Sequence, residues 1–362
     1  MSVLTRAVVL IVLLLIIGGV IVVFERRDVR KNTWLSAENE VRVPGEGARI
    51  AQKTKQYERA KEISSPDGFI NADGIQIADL VGKKVILIDF WTYSCINCQR
   101  TTPYLNAWYE KYKDAGLEII GVHTPEFAFE QEYENVADAV RKFSIHYPVV
   151  LDNDYSTWKS YRNQYWPRKY LIDIDGFIIY DHIGEGAYEE TEKEIQKALQ
   201  ERAQILGMER GMERVGVAKT SDQDTDFSKI KTPELYFGTA RNRALGNGAT
   251  GTAGQQTLHI PEKREPHRPY LNGVWNFADE YAENIITESR VVLTYEARRV
   301  YMVASAEKGA RVRVIKNGIL MREFIIDQEQ LYTLIDDAAY GIHTLELVIT
   351  DPGMRLFTFT FG

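Results

Sequence analysis

The stretch VILIDFWTYSCINC, Val85 to Cys98, decides the fold. Its first six residues, Val85 to Phe90, form an unbroken apolar run apart from Asp89, the pattern of a central strand covered on both faces. The helical pattern from Thr101 to Ala115 follows, so the two cysteines fall between a buried strand and the start of a helix. The first turn of a helix has free N–H groups and a partial positive charge, and both stabilise a thiolate. With i, i+3 spacing the sulfurs share one side of the helix and can close a small disulfide ring. Cys95, nearer the exposed end, is the expected attacking thiolate, and Cys98 the thiol that resolves a mixed disulfide. Asp89 lies six residues before Cys95 at the end of the strand, where a carboxylate could relay protons to and from Cys98. Cys95 and Cys98 are the only cysteines among 362 residues, which rules out a disulfide framework. They also leave zinc short of ligands, since a structural site needs four and His123, His146 and His182 are scattered. No metal and no cofactor beyond the thiol pair itself is expected.

Outward from this stretch the texture is α/β. Phe69 to Asn71 and Ile75 to Ile77 flank Asp73-Gly74, a hairpin signature, and Leu117 to Val122 reads as a strand. Val136 to Phe143 is helical and Tyr147 to Leu151 a short strand. Lys169 to Ile174 and Phe177 to Ile183 pair across Asp175-Gly176, and Tyr188 to Leu206 is an amphipathic helix. This order implies a mixed sheet between helices. Residues 207–232 read as a linker. From Val291 onward short strand-like runs alternate with turns, with Asn317-Gly318 as a strong hairpin signal, and the expected architecture is an all-β sandwich over 233–362. Leu245 to Gln256, rich in Gly, Ala and Thr, is expected to be a loop.

At the other end, Ala7 to Phe24 is apolar and uncharged, and eighteen helical residues reach roughly 27 Å, enough to span a bilayer core. Residues 1–6 are then a short tail, 7–24 an uncleaved transmembrane anchor and 25–66 a stalk. Arg26, Arg27, Arg30 and Lys31 follow the span, and a strict positive-inside count keeps the C-terminal body in the cytoplasm. The net charge of −7 argues against nucleic acid as a partner.

Pro103, inside the helix, and Tyr165-Trp166-Pro167, just before a strand, complete a recognisable arrangement. With Asp89 and the CxxC they resemble the thioredoxin fold, and the resemblance places a cis-proline facing the disulfide at Pro167, with Trp166 before it shaping substrate contact. GFINADG (68–74), GVHTPEFAFE (121–130), YPVVLDNDYSTWKSYRNQYWPRKYLIDIDG (147–176) and HIGEGAYEETE (182–192) resemble the extracytoplasmic part of the DipZ family of TlpA-like thiol–disulfide proteins. TPELYFGTARN (232–242) and the strand-rich tail resemble the carbohydrate-binding-module-like, jelly-roll-like domain that follows there. The resemblance implies a thioredoxin-like domain over 67–206 and a membrane-anchored, single-pass, extracytoplasmic thiol–disulfide oxidoreductase acting on protein thiols and disulfides. That orientation sets aside the charge count. DipZ proteins carry a multi-span electron-conducting domain and this sequence has one predicted span, so electrons would come from a separate membrane donor of the CcdA type. A cell-wall glycan is a further partner the resemblance raises; Trp275, the only Trp of the tail, with Tyr270, Phe277 and Tyr281, is its aromatic candidate set.

Two other chemistries fit the same residues. Thr92 to Cys95 satisfies the TxxC pattern of thiol peroxidases, although the proline expected before it is missing. Cys95, Cys98 and a histidine such as His123 could also serve as soft ligands of a copper chaperone. Tyr93, Glu126 and Arg168 are candidates for the edge of the cleft.

Overall fold

Strand β2 (Val85–Trp91) is buried at every position because it divides its side chains between two cores. Val85, Leu87 and Trp91 belong to one apolar cluster, and Ile86, Ile88 and Phe90 to another on the opposite face. The period of two places Asp89 on the first face. The structure, a computed structural model, describes residues 45–208 and 225–362. The anchor expected at 7–24, the tail before it, residues 25–44 of the stalk and most of the linker lie outside the described residues. No helix among the described residues is long and apolar enough to cross a membrane.

Around β2 a six-stranded sheet forms from β1 (Gly68–Ile70), β3 (Leu117–His123), β4 (Val149–Leu151), β5 (Arg168–Ile172) and β6 (Ile178–Ile183), in the order β1-β4-β3-β2-β5-β6. β3 runs parallel to β2 and to β4, while β5 is antiparallel to β2 and to β6. Helices α1 (Ile96–Tyr112), α2 (Tyr133–Lys142) and α3 (Tyr188–Ile205) pack on the face that carries Asp89, through Tyr104, Trp108, Val136, Val140, Ile195 and Leu199. The hairpin expected at Asp73-Gly74 does not form. β1 pairs with β4 instead, and Asn71, at positive φ, donates its side-chain amide to the carbonyls of Ile145 and Tyr147. Ile77 then begins a short helix, Ile77–Leu80, with its side chain buried.

Residues 53–66, expected as the end of a stalk, pack against this domain. Lys53 Nζ reaches Asp173, Asp175 and Glu201 at 2.6, 2.9 and 2.7 Å, Ala60 N–H donates to the Gly176 carbonyl, and Ile63 is buried.

The second domain is all-antiparallel. Strands β7 (Leu235–Tyr236), β8 (Gly254–Leu258), β9 (Tyr270–Phe277), β10 (Ala282–Asn284), β11 (Ser289–Ser305), β12 (Ala310–Lys316), β13 (Ile319–Ile326), β14 (Gln330–Ile349) and β15 (Arg355–Phe361) make one nine-stranded sheet. The loop expected at 245–256 gives way to β8 at its end. Four runs read as separate strands merge into two long ones, β11 and β14, which pair with each other along both halves. The pairing is irregular between Ala297 and Arg299, where β14 steps from Gly341 to Asp336 and the side-chain parity of β11 flips. Val291, Leu293, Tyr295 and Ala297 therefore share a core with Val300, Met302 and Ala304, and the sheet curls round that single core. A sandwich was expected; the strands hydrogen-bond into one continuous antiparallel sheet. At the hairpin, Asn317 and Gly318 both take positive φ, as a tight two-residue turn requires.

Candidate active site

Cys95 is the N-cap of α1, half-buried, and Cys98 sits one turn in and is buried; both are free thiols. The Cys95 carbonyl accepts from Gln99 N–H at 3.0 Å, which starts the helix. Thr101 and Thr102 direct their hydroxyls back to the carbonyls of Asn97 and Cys98, and Pro103 stands inside the helix.

Beneath the thiols lie two opposite charges with almost no access to water. Asp89 on β2 is directly paired in register with Lys169 on β5. Leu171, two residues on from Lys169, lies in the same cluster as Val85, Leu87 and Cys98, so both charged side chains face the helix that carries the cysteines. Burial pushes the Asp89 carboxyl up to about 7, and Lys169 opposes the rise. Its Oδ1 is buried without a hydrogen-bond partner, an oxygen free to take a proton. Lys169 is completely buried, and burial lowers its affinity for a proton while Asp89, Cys98 and Glu185 restore part of it. Its Nζ donates to the Gly184 carbonyl at 3.1 Å. Burial also drives the Cys98 thiol well above its ordinary range, with Cys95 and Asp89 adding to the effect.

A third buried ionisable group steadies the approach to Cys95. Glu130 accepts from Ser94 N–H at 3.2 Å and Ser94 Oγ at 2.6 Å through one oxygen, and from the N–H groups of Glu126 and Phe127 through the other. Burial raises its carboxyl to about 6 despite these donors.

Just before β5 the Trp166–Pro167 peptide is cis. Pro167 is buried, and Trp166 is held by Nε1 on the Thr124 carbonyl at 3.0 Å and by the Trp158 ring, with centroids 4.3 Å apart.

The second domain closes one flank. Tyr93 is buried and donates its hydroxyl to the Glu329 carbonyl at 3.1 Å. Phe357 packs against Phe127 and Phe129 with centroids 5.0 and 4.9 Å apart, and Val303 and Phe357 belong to the same apolar cluster as Cys98. Of the residues expected at the cleft edge, Glu126 is taken up by Tyr236 and Arg241 of the second domain. Arg168 pairs with Asp181 and covers Tyr170. Thr92 and His123, which a peroxide site or a copper site would use, turn towards each other, with Oγ1 and Nε2 3.4 Å apart. Burial holds the His123 imidazole neutral, down to about 3.

Residues 82–178 match the family model described as Thioredoxin-like, and residues 232–362 the one described as Thioredoxin like C-terminal domain. The thiol-disulfide oxidoreductase ResA of Bacillus cereus is 34% identical over 123 residues, which cover 34% of this chain and 68% of ResA. This chain belongs to the thioredoxin-like thiol–disulfide oxidoreductases. It is also DipZ-like through both domains: DipZ of Mycobacterium tuberculosis (strain CDC 1551 / Oshkosh) is 34% identical over 305 residues, 84% of this chain and 43% of DipZ. The chain thus spans less than half the length of the DipZ proteins it matches. The thiol-disulfide oxidoreductase YkuV of Bacillus subtilis (strain 168) is 26% identical over 140 residues, 39% of this chain and 93% of YkuV.

For a thioredoxin-like oxidoreductase, Lys169 and Glu130 are the residues that reading the sequence passed over. A signal existed for the first: a lysine at the start of a strand whose later residues are mostly apolar. Its meaning needed the β2–β5 register, which places it opposite Asp89.

Proposed function

We propose that this chain exchanges disulfides with protein substrates, anchored in the cell membrane by residues 7–24 with its described domains outside the cytoplasm. The observation that carries the exchange chemistry is the pairing of a half-exposed Cys95 at a helix N-terminus with a buried Cys98 above Asp89. Cys95 thiolate attacks a substrate disulfide, forming a mixed disulfide and releasing one substrate sulfur as a thiolate that takes up a proton. Cys98 then loses its proton and attacks Cys95 Sγ, which expels the second substrate sulfur and closes the Cys95–Cys98 disulfide. Because burial keeps the Cys98 thiol protonated, this second step needs a base, and Asp89 at about 7 is matched to that role near neutral pH. Trp166 and Pro167 form the opposing wall against which the substrate chain lies. Return to the dithiol requires two electrons, and a CcdA-type membrane protein is the donor we favour.

The second domain in this reading keeps a jelly-roll-like form without an aromatic glycan platform. Trp275 is fully buried with its Nε1 on the Asn272 carbonyl, and Tyr270 and Phe277 are core residues too. Its contacts with Tyr93, Phe127 and Phe129 support a part in walling the thiol site.

Equilibrating the full chain with glutathione buffers and counting free thiols tests the reading. A reversible couple near −270 mV marks a reductant that must be supplied with electrons, and one near −120 mV a disulfide donor. Absence of any reversible couple would overturn the exchange chemistry.

A further inference from the structure

The helix that carries the thiols is tied to the second domain by a side chain that the exchange steps do not use. Arg100 lies two residues after Cys98 and is 5% exposed, a burial whose cost a guanidinium offsets through a paired charge and hydrogen-bonded donors. Nε and Nη2 are so matched, while Nη1 is buried without a hydrogen-bond partner. Arg100 Nε donates to Glu185 Oε2 at 2.8 Å and Nη2 to Glu185 Oε1, a two-point fork that lysine cannot reproduce. The same Nη2 donates to Asn97 Oδ1 at 2.8 Å, and Asn97 is one of the two residues between the cysteines. On its far side the guanidinium stands 6.0 Å from the centre of the Tyr301 ring, on β11 of the second domain. Gly362, just beyond β15, lies so close that a Cβ there would come within 3.0 Å of Arg100 Nη1. Burial works against the charge of Arg100, and Glu185 followed by Tyr301 outweighs it.

Glu185 extends the connection to the other wall of the site. Its neighbour Gly184 accepts from Lys169 Nζ on its carbonyl and gives its own N–H to the Pro167 carbonyl at 2.8 Å. One guanidinium therefore joins the dipeptide inside the CxxC, the loop that holds Pro167 and Lys169, and the docked second domain.

We propose that Arg100 is a positioning residue for the thiol pair, and that through it the docked second domain sets the balance between the Cys95–Cys98 dithiol and disulfide. The proposal rests on reading Cys95 and Cys98 as the redox couple. The residues between two such cysteines decide how easily the sulfurs meet, because a disulfide tolerates only a narrow range of geometry. Holding Asn97 on a buried fork restricts that dipeptide. The fork also keeps the charge of Glu185, itself nearly buried, neutralised at the guanidinium that holds Asn97. Weakening the fork leaves a carboxylate uncompensated in low dielectric, which disfavours a nearby thiolate and hence the reduced form. The couple should then become more reducing.

The experiment equilibrates the full chain and its Arg100→Lys, Asn97→Ala and Tyr301→Leu variants with glutathione, with thermal unfolding recorded alongside. Arg100→Lys and Asn97→Ala are each expected to shift the equilibrium constant towards the disulfide by about threefold to tenfold, where tenfold corresponds to about 30 mV. The double variant should shift no further than Arg100→Lys alone, because that change already disturbs the Arg100–Asn97 hydrogen bond that Asn97→Ala removes, as well as the Glu185 fork. Tyr301→Leu should move the constant the same way by a smaller factor. Lowered melting temperatures with an unchanged equilibrium constant, or additive shifts in the double variant, would overturn the positioning role. A shift in the first two variants with none in Tyr301→Leu would overturn the part assigned to the second domain. Asn97 is only half-buried, so its variant keeps the test alive if Arg100→Lys does not fold. Failure of the wild-type chain to form a reversible couple strikes the exchange reading itself and the proposal with it, an outcome distinct from a normal wild-type couple that the variants leave unmoved.

Discussion

The two domains bury different chemistry. Among the described residues, the thioredoxin-like domain buries Asp89, Arg100, His123, Glu130, Asp152, Lys169, Asp173, Asp175 and Glu192, whereas the second domain buries only neutral polar groups such as Asn242, Asn284, Ser289 and Thr358 beside its apolar core. Burying ionisable groups costs free energy unless they are paired; Arg100, Asp173, Asp175 and Glu192 have ion-pair partners, whereas burial raises the proton affinities of Asp89 and Glu130. The second domain fills its interior with Leu, Val, Ile and Phe, which stabilise without titrating. The contrast separates a domain built to move protons and electrons from one built to hold a shape against it.

Substitutions in each domain can break or sharpen this contrast. The largest effect is expected from Cys95→Ser, which removes the attacking thiolate; reduction of a disulfide-bonded protein substrate should fall to the uncatalysed rate with the fold intact by circular dichroism. Trp275→Ala should act the opposite way, costing about 3–5 kcal/mol of stability in denaturant unfolding while the Cys95–Cys98 couple in the folded fraction keeps its potential. If that variant instead abolished exchange in fully folded protein, the division of labour would be wrong.

Asp89→Asn tests the cost of a buried acid. The folded-state value of about 7 lies above the unfolded value of about 3.8, so the folded protein binds the extra proton more tightly between those pH values. Stability from this group is complete below about pH 4 and is lost as pH rises through about 7. The asparagine variant has no such loss and should be more stable than wild type at pH 8, by up to on the order of 4 kcal/mol, and nearly equal to it at pH 4. The same change should slow release of the mixed disulfide, seen as accumulation of substrate trapped on Cys95 by mass spectrometry. The smallest effect belongs to Glu126→Gln, which weakens an interdomain ion pair with Arg241 at 2.6 Å whose arginine is more than a third exposed. A loss of about 1 kcal/mol or less, shrinking further in high salt, is expected from chemical denaturation.

What was legible in the sequence follows the range over which each signal acts. Strand β2, the helix after it and the position of the CxxC between them are written in contiguous residues, and so is the turn at Asn317-Gly318. The hairpin expected at Asp73-Gly74 shows the limit of such signals: the turn residues are present, but β1 finds a better partner in β4, remote in sequence. The merging of strand runs into β11 and β14 has the same origin, since a shift in register is visible only once the partner strand is in place.

By itself the sequence determined the strand–CxxC–helix unit, the sulfur pair with its expected division of roles, and the change from α/β to all-β texture, because periodicity, turn chemistry and helix spacing are local properties of the chain. Tertiary structure alone decided that Lys169 faces Asp89, that Trp275 is core, and that Arg100 reaches both Asn97 and the second domain. Each of those depends on which strands pair and how two domains dock, and burial, which sets the charge state and the role of a side chain, exists only after that assembly.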